Sequence, residues 1–168
     1  RPYAWTNKNI QDFWYSIISN DEKYFIGNIV AVEGKPLLVV DGQQRLTTIS
    51  LLLIALRDIY QEIEISKKDE EKVKKTVDRI EKYLEDDDLE QSTESKYKRL
   101  ELGKDVYQEV YDLMVEKKFD NNTFSRLGDS QKRYFNNYKI LKKLIRDYIK
   151  GSELDRLDKV LKNVLELQ

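Results

Sequence analysis

The residues best suited to chemistry lie together at Asp41-Gly42-Gln43-Gln44-Arg45, followed by Leu46-Thr47-Thr48. An apolar run, Leu37 to Val40, precedes them and a long apolar-periodic segment follows. The cluster therefore sits where a buried-type strand turns into a buried helix. Such a junction suits an anion. The first amides of a helix have no intrahelical acceptor, and the helix dipole adds partial positive charge. Gly42 lets the backbone turn sharply and come close to a ligand. Arg45 supplies a planar, permanently charged fork matched to phosphate. Gln43 and Gln44 can donate or accept, and so could orient a water or read a base. Thr47 and Thr48 add hydroxyls within the first helical turn. Asp41 can cap the helix or hold Mg²⁺ through water. A plainer reading stays open beside this one. Asp-Gly at a strand end is a common turn before a helix, and Gln and Arg there are ordinary surface residues. The spacing is not that of a P-loop.

The rest of the composition narrows the chemistry. The 168 residues include no His and no Cys. That excludes a zinc finger, a His-metal nuclease centre, a Ser-His-Asp or Cys-His nucleophile and a disulfide framework within this chain. Lys and Arg number 30 against 31 Asp and Glu, so no global basic field favours nucleic acid. Only 2 Pro and 6 Gly argue against disorder and against an all-β fold rich in turns. The longest apolar run, Ile49 to Leu56, is too short to span a bilayer, so no membrane partner is expected. The chain starts at Arg1 in mid-pattern and is expected to be a piece of a longer protein.

Several elements must position the cluster. Thr6 is the expected cap of a first helix carrying Ile10, Phe13, Trp14, Ile17 and Ile18. Tyr24 to Val32 and Pro36 to Val40 read as strands joined at Glu33-Gly34-Lys35. The second strand is expected to be covered on both faces. A central helix follows from about Leu46 to Ile63. Ser66 to Glu90 reads as a solvated amphipathic helix with a narrow stripe of Val73, Val77, Ile80 and Leu84. Asp86-Asp87-Asp88 could suggest a metal, but consecutive residues at a helix end point in different directions. Gln91 to Ser95 is a loop and Tyr97 to Leu102 a short strand. Lys104 to Lys117 is a helix with Val106, Val110, Leu113 and Met114 inward, and Phe119 to Asp129 a loop. Ser130 is the expected cap of a helix to about Lys150, with Tyr134, Phe135, Tyr138 and Tyr148 on its apolar side. A last helix runs from Glu153 to about Leu167. The basic side of the Ser130 helix, Lys132, Arg133, Lys139, Lys142, Lys143 and Arg146, could touch DNA phosphate or be a solvated face.

Val40-Asp41-Gly42-Gln43-Gln44-Arg45-Leu46-Thr47-Thr48 resembles the signature of the N-terminal domain of GmrSD-type (type IV) restriction endonucleases, relatives of the ParB/sulfiredoxin-like superfamily. Arg1-Pro2-Tyr3-Ala4-Trp5 resembles that family's Arg-Pro-Tyr-x-Trp element, and Tyr24 to Val30 its strand before the signature. Arg99 to Leu102 and Ser130 to Tyr138 resemble a later strand and helix. The resemblance implies an α+β fold, mostly helical, with a small ParB/sulfiredoxin-like sheet truncated at the N-terminus. Residues 1–65 would form the ParB-like core and 66–168 a helical extension of the same domain.

The resemblance further implies a cytoplasmic, NTP-binding and NTP-hydrolysing regulatory domain of a phage-defence protein. An NTP with Mg²⁺ would be its ligand. Arg45 would meet a phosphate, and Gln43 and Gln44 the phosphates or the attacking water. Asp41 would sit near the metal or shape the loop, and Arg1, Tyr3 and Trp5 would form the opposite wall. For Trp5, a place in the site and a role as a hydrophobic staple are weighed equally. Expected partners are the nucleotide and a C-terminal nuclease domain, with DNA and a second copy admitted. Two other functions stay open: a DNA-binding module sensing modified bases, and a helical scaffold docking a partner through Leu154, Leu157, Val160, Leu161, Val164 and Leu165.

Overall fold

A computed structural model describes residues 3–19, 24–34, 37–87, 96–98, 100, 102 and 105–167. The chain is α+β and mostly helical. Seven helices, α1 (Asn7–Ser19), α2 (Gln43–Glu62), α3 (Glu70–Leu84), α4 (Asp105–Val115), α5 (Asn121–Arg126), α6 (Asp129–Ile149) and α7 (Glu153–Leu165), accompany two antiparallel strand pairs among the described residues. In the first pair, β1 (Val30–Val32) meets β2 (Leu38–Asp41). In the second, β3 (Glu85–Asp87) meets β4 (Lys96–Lys98).

The centre belongs to α2. Every residue from Leu51 to Arg57 is buried, because α3, α6 and α7 all pack around it. Each fully buried Leu or Ile there contributes about 1.5–3 kcal/mol of transfer free energy, an upper figure because real unfolded chains are compact. α1 enters this core with Ile10, Phe13, Trp14 and Ile17. Trp14 is core, as its place on the apolar face predicts, and meets Tyr148 edge-on at 5.9 Å. Thr6 precedes α1 as expected: its hydroxyl accepts the Asn9 N–H and the Asn9 carboxamide accepts the Thr6 N–H, a reciprocal cap. The face of α7 that suggested a docking surface, Leu157, Val160, Leu161 and Val164, is buried within the chain's own core. That removes the motive for a scaffold acting through it.

Several boundaries differ from the expectation. α2 begins at Gln43, three residues earlier than predicted, because Gly42 completes the turn alone in the left-handed region (φ 91°). The predicted strand from Tyr24 shrinks to Val30–Val32, since Gly27 at φ 90° breaks the extended run. β2 is not covered on both faces. Leu38 and Val40 are largely exposed, as are Val30 and Val32 on β1, because α2 turns away from the hairpin and packs into the helices. The charged helix ends at Leu84, and Glu85-Asp86-Asp87 pairs with Lys96-Tyr97-Lys98 as a strand. The segment 119–129 is not all loop: Asp120 accepts the Thr123 N–H at 2.7 Å and caps α5. α6 starts at Asp129, capped from Gly128, whose N–H is accepted by Gln131 Oε1 at 2.8 Å, so Ser130 falls inside the first turn. The Gln91 to Ser95 loop, Pro36 and the Arg99 start of the resembling strand lie outside the described residues, as does the side chain of Val106.

Candidate functional site at the start of α2

The site is built at the corner between β2 and α2. The hairpin register shifts between Val30, opposite Asp41, and Ala31, opposite Val39, which leaves Val40 as an extra residue. Such a bulge bends the strand and re-aims its end. Gly42 follows, and a Cβ there would lie 2.9 Å from Ile29 Cγ1 and 3.3 Å from Ile29 Cα, so both its φ and its packing require Gly. Gln43 then ties the corner: its Nε2 donates to the Val39 carbonyl at 2.6 Å. The N-cap residue, Gly42, brings no side-chain cap to the helix. An open cavity of about 430 Å³ lies here, lined by Trp5, Val40, Asp41, Gly42, Gln43, Gln44 and Arg45.

Arg45 is held on two sides. Its Nη1 donates to the Ile26 carbonyl at 2.9 Å, and its Nη2 to Asp41 Oδ2 at 3.2 Å, an i,i+4 ion pair. Asp41 therefore does not cap α2; it ends β2 and faces Arg45 from the surface. The guanidinium passes over Gly27, where a Cβ would lie 2.1 Å from Nη1. Five N–H donors on one rigid fork let Arg45 keep these partners and still face a phosphate.

The opposite wall comes from the N-terminal segment, clamped between α2 and α6. The Ala4 N–H is accepted by Gln44 Oε1 at 2.7 Å, and the Ala4 carbonyl accepts Arg133 Nη1 at 3.2 Å. Asn137, buried on α6, donates to the Trp5 carbonyl at 2.9 Å and to the Tyr3 hydroxyl at 3.3 Å. Thr48 spends its one proton on the Gln44 carbonyl at 2.8 Å, so the Tyr3 hydroxyl, 2.8 Å away, must donate to Thr48 Oγ1. Burial pushes the Tyr3 phenol up, against the hydrogen bonds to Thr48 and Asn137.

The predicted site residues thus divide. Asp41, Gly42, Gln43, Gln44, Arg45 and Trp5 come together around the cavity. Trp5 lines the cavity, and its ring also meets Phe13 on α1 edge-on at 5.5 Å. Tyr3, Thr47 and Thr48 stand behind the wall. Tyr3 is buried, with its ring tilted 30° against that of Tyr134, and the two threonine hydroxyls donate to the Gln43 and Gln44 carbonyls one turn back. Arg1 lies outside the described residues.

Residues 1–166 match the family described as GmrSD restriction endonuclease, N-terminal domain. The chain belongs to that family. No curated protein matches it.

Within this GmrSD N-terminal domain, several supports of the site went unseen in the sequence. Gly27 lies inside an apolar run, where a glycine often marks close approach of another group, and that signal was there to use. Asn137 sits between Tyr134 and Leu141 at core spacing, a polar residue on an apolar face. Arg57 does the same on α2. It is buried, bonds Asp58, and donates to the Met114 and Val115 carbonyls that end α4. Tyr138 closes the network by donating to Asp58 at 2.7 Å, and burial together with that carboxylate pushes its phenol well up. The basic stripe on α6 is largely engaged. Lys142 and Arg146 both pair with Glu62, and Lys132 and Lys139 lie over the Phe124 ring. Among the described residues, no group of acidic side chains is arranged to hold a metal by itself, and no helix is long and apolar enough to cross a membrane.

Proposed function

We propose that the cavity at the start of α2 binds the phosphates of a nucleoside triphosphate, as the regulatory element of a phage-defence restriction enzyme. One observation carries this reading: a helix N-terminus whose N-cap, Gly42, brings no side chain, an anchored Arg45 and both glutamines converge on one open cavity with Trp5 on its wall. A phosphate oxygen would meet a further N–H of the Arg45 fork beside those given to Ile26 and Asp41, and the first-turn amides of α2 would meet the same anion. Trp5 offers an aromatic edge for the base. Among the described residues, Asp41 is the one carboxylate lining the cavity, which fits a Mg²⁺ held mainly by phosphates and water rather than by a protein cage. When bound, such an ion would neutralise charge that develops on the phosphates during hydrolysis.

With no His in the chain, a His-Asn-His nuclease centre would belong to a C-terminal domain of the full-length protein. The test is calorimetric titration with each ribonucleoside triphosphate and Mg²⁺, comparing the wild-type chain with Arg45→Ala. Binding that weakens about 10–100-fold in the variant is expected, the value of one charge-assisted contact. Equal affinity in the two proteins refutes the reading.

A further inference from the structure

The β1–β2 hairpin keeps its apolar side chains in water. Strand residues alternate between faces, and the register sets Val32 opposite Leu38 and Ala31 opposite Val39. Val30, Val32, Leu38 and Val40 therefore share one face, and each is between 48% and 64% exposed. Phe25, Ile29 and Leu37, next to the strands in the chain, are exposed as well. Among the described residues, seven of the nine exposed large hydrophobics thus fall within residues 25–40. Single apolar residues scattered over a surface need no explanation, but a concentration of them marks a contact. A two-stranded ribbon is also marginal unless something packs against it.

We infer that this face docks a second copy of the chain by two-fold contact, hairpin face against hairpin face. Three features select that occupant. A two-fold contact sets a patch against itself, so a charge at its centre would meet its own like. Val30, Val32, Leu38 and Val40 bring none, and Asp41, at the end of β2, has Arg45 as its partner. The formal net charge is only -1, so two copies approach without long-range repulsion. The seven side chains expose on the order of 500 Å² of apolar surface, close to the apolar two-thirds of the roughly 800 Å² that each partner contributes to a standard interface. A strand added at either edge of the hairpin would satisfy backbone groups yet leave this face in water. Val40 belongs both to the face and to the wall of the cavity, so the docked copy stands at the rim of the candidate site. The inference does not depend on what that cavity binds.

Sedimentation equilibrium at rising concentration tests it. The mass of the wild-type chain is expected to move from 20.1 kDa to twice that value, with a midpoint in the micromolar range. Val32→Lys combined with Leu38→Lys changes two exposed positions, keeps the helical circular dichroism and weakens association about 50-fold or more, because four ammonium groups would meet across the contact. Tyr83→Lys, at an exposed residue on α3, still dimerises like the wild type. A second measurement does not rely on Lys being tolerated in a strand. The chain has no Cys, so a single introduced thiol can cross-link only to its own copy. Among Val30→Cys, Val32→Cys, Leu38→Cys and Val40→Cys, made one at a time, mild oxidation is expected to give a disulfide dimer from at least one, and none from Tyr83→Cys. A wild-type chain that stays at 20.1 kDa overturns the inference and leaves the face to another protein or to a further segment of a longer chain. A mass that climbs past the dimer overturns the closed two-fold contact. A double Lys variant that dimerises like the wild type, or face thiols that cross-link no faster than Tyr83→Cys, overturns the placement of the interface.

Discussion

Substitution of Gly27 by Ala tests how Arg45 is held. The backbone there has φ 90°, a conformation that costs an L residue about 1–2 kcal/mol. The new Cβ would also lie 2.1 Å from Arg45 Nη1 and 3.3 Å from its Cζ. The obstructing atoms are the end of a flexible side chain, so Arg45 moves and the fold persists. Its bond to the Ile26 carbonyl is then lost, and a hydrogen bond from a charged donor is worth about 1.5–3 kcal/mol. The Arg45 side chain is 22% exposed, so the lower end applies. The expected loss is about 2.5–3.5 kcal/mol, of which about 1.5 depends on Arg45. The assay is a double-mutant cycle by urea unfolding, with Gly27→Ala made in the wild-type and the Arg45→Ala backgrounds. The substitution costs only about 1–2 kcal/mol once Arg45 is gone, because the backbone term alone remains. Coupling below about 0.5 kcal/mol, the ordinary limit of additivity, would refute the packing of Arg45 on Gly27.

Arg57→Met should cost about 3–5 kcal/mol in urea unfolding, since it strips a buried network of its charge and leaves the Met114 and Val115 carbonyls without their donor; a loss below about 1 kcal/mol would show the network to be dispensable. Asn137→Leu should raise acrylamide quenching of Trp5, read in a Trp14→Phe background, because Trp5 loses its backbone anchor on α6; unchanged quenching would show that α6 does not hold it. Burial raises the phenols of Tyr3, Tyr60 and Tyr138, and pushes Tyr111 up to about 12, so the folded state holds these protons more tightly than the unfolded chain. Their stabilisation is complete below the ordinary value of 10.0 and is lost as pH rises from there through the folded values, so unfolding in base should coincide with a cooperative rise in phenolate absorbance. Burial acts to raise Glu62, but its bonds to Lys142 and Arg146 win and lower it; that contribution is present above the ordinary value of 4.5 and lost as pH falls through the folded value.

What was legible in the sequence follows from periodicity and from local chain geometry. α1, α2, α6 and α7 announce themselves because their apolar residues recur at helical spacing over several turns. The Asp41 to Arg45 cluster was legible because Gly and a charged fork at a strand–helix junction have a local meaning. The start of α2 was misplaced because polar residues carry no periodic signal, although Gln43, Gln44 and Arg45 are helical. The covering of β2 was misjudged for a different reason. An apolar run says that a strand could be buried, but what lies over it depends on partners far along the chain. Thr47 and Thr48 are expected at the ligand from their place in the first helical turn, and Tyr3 on the opposite wall from the family resemblance. Their hydroxyls instead satisfy one another and the helix carbonyls, which only the three-dimensional packing reveals.

The bonds around Gln44 have a mechanical consequence. A relay runs from Asn137 to the Tyr3 hydroxyl, to Thr48 Oγ1 and on to the Gln44 carbonyl. A second path runs from Arg133 through the Ala4 carbonyl, across one residue of backbone, to the Ala4 N–H and Gln44 Oε1. Both begin on α6 and end on the same first turn of α2. Asn137 and Thr48 are buried, so water cannot replace the partners of the first relay without the cost of exposing a core. A slide of α6 along α2 must therefore carry residues 3–5 with it, and so turn the Gln44 amide, or break bonds that nothing else would satisfy. Lower on the same pair of helices, Tyr138 bonds Asp58, and Lys142 and Arg146 grip Glu62, which resists that slide. The helical half of the chain thus sets the geometry of the cavity, although α6 is not among the elements that line it.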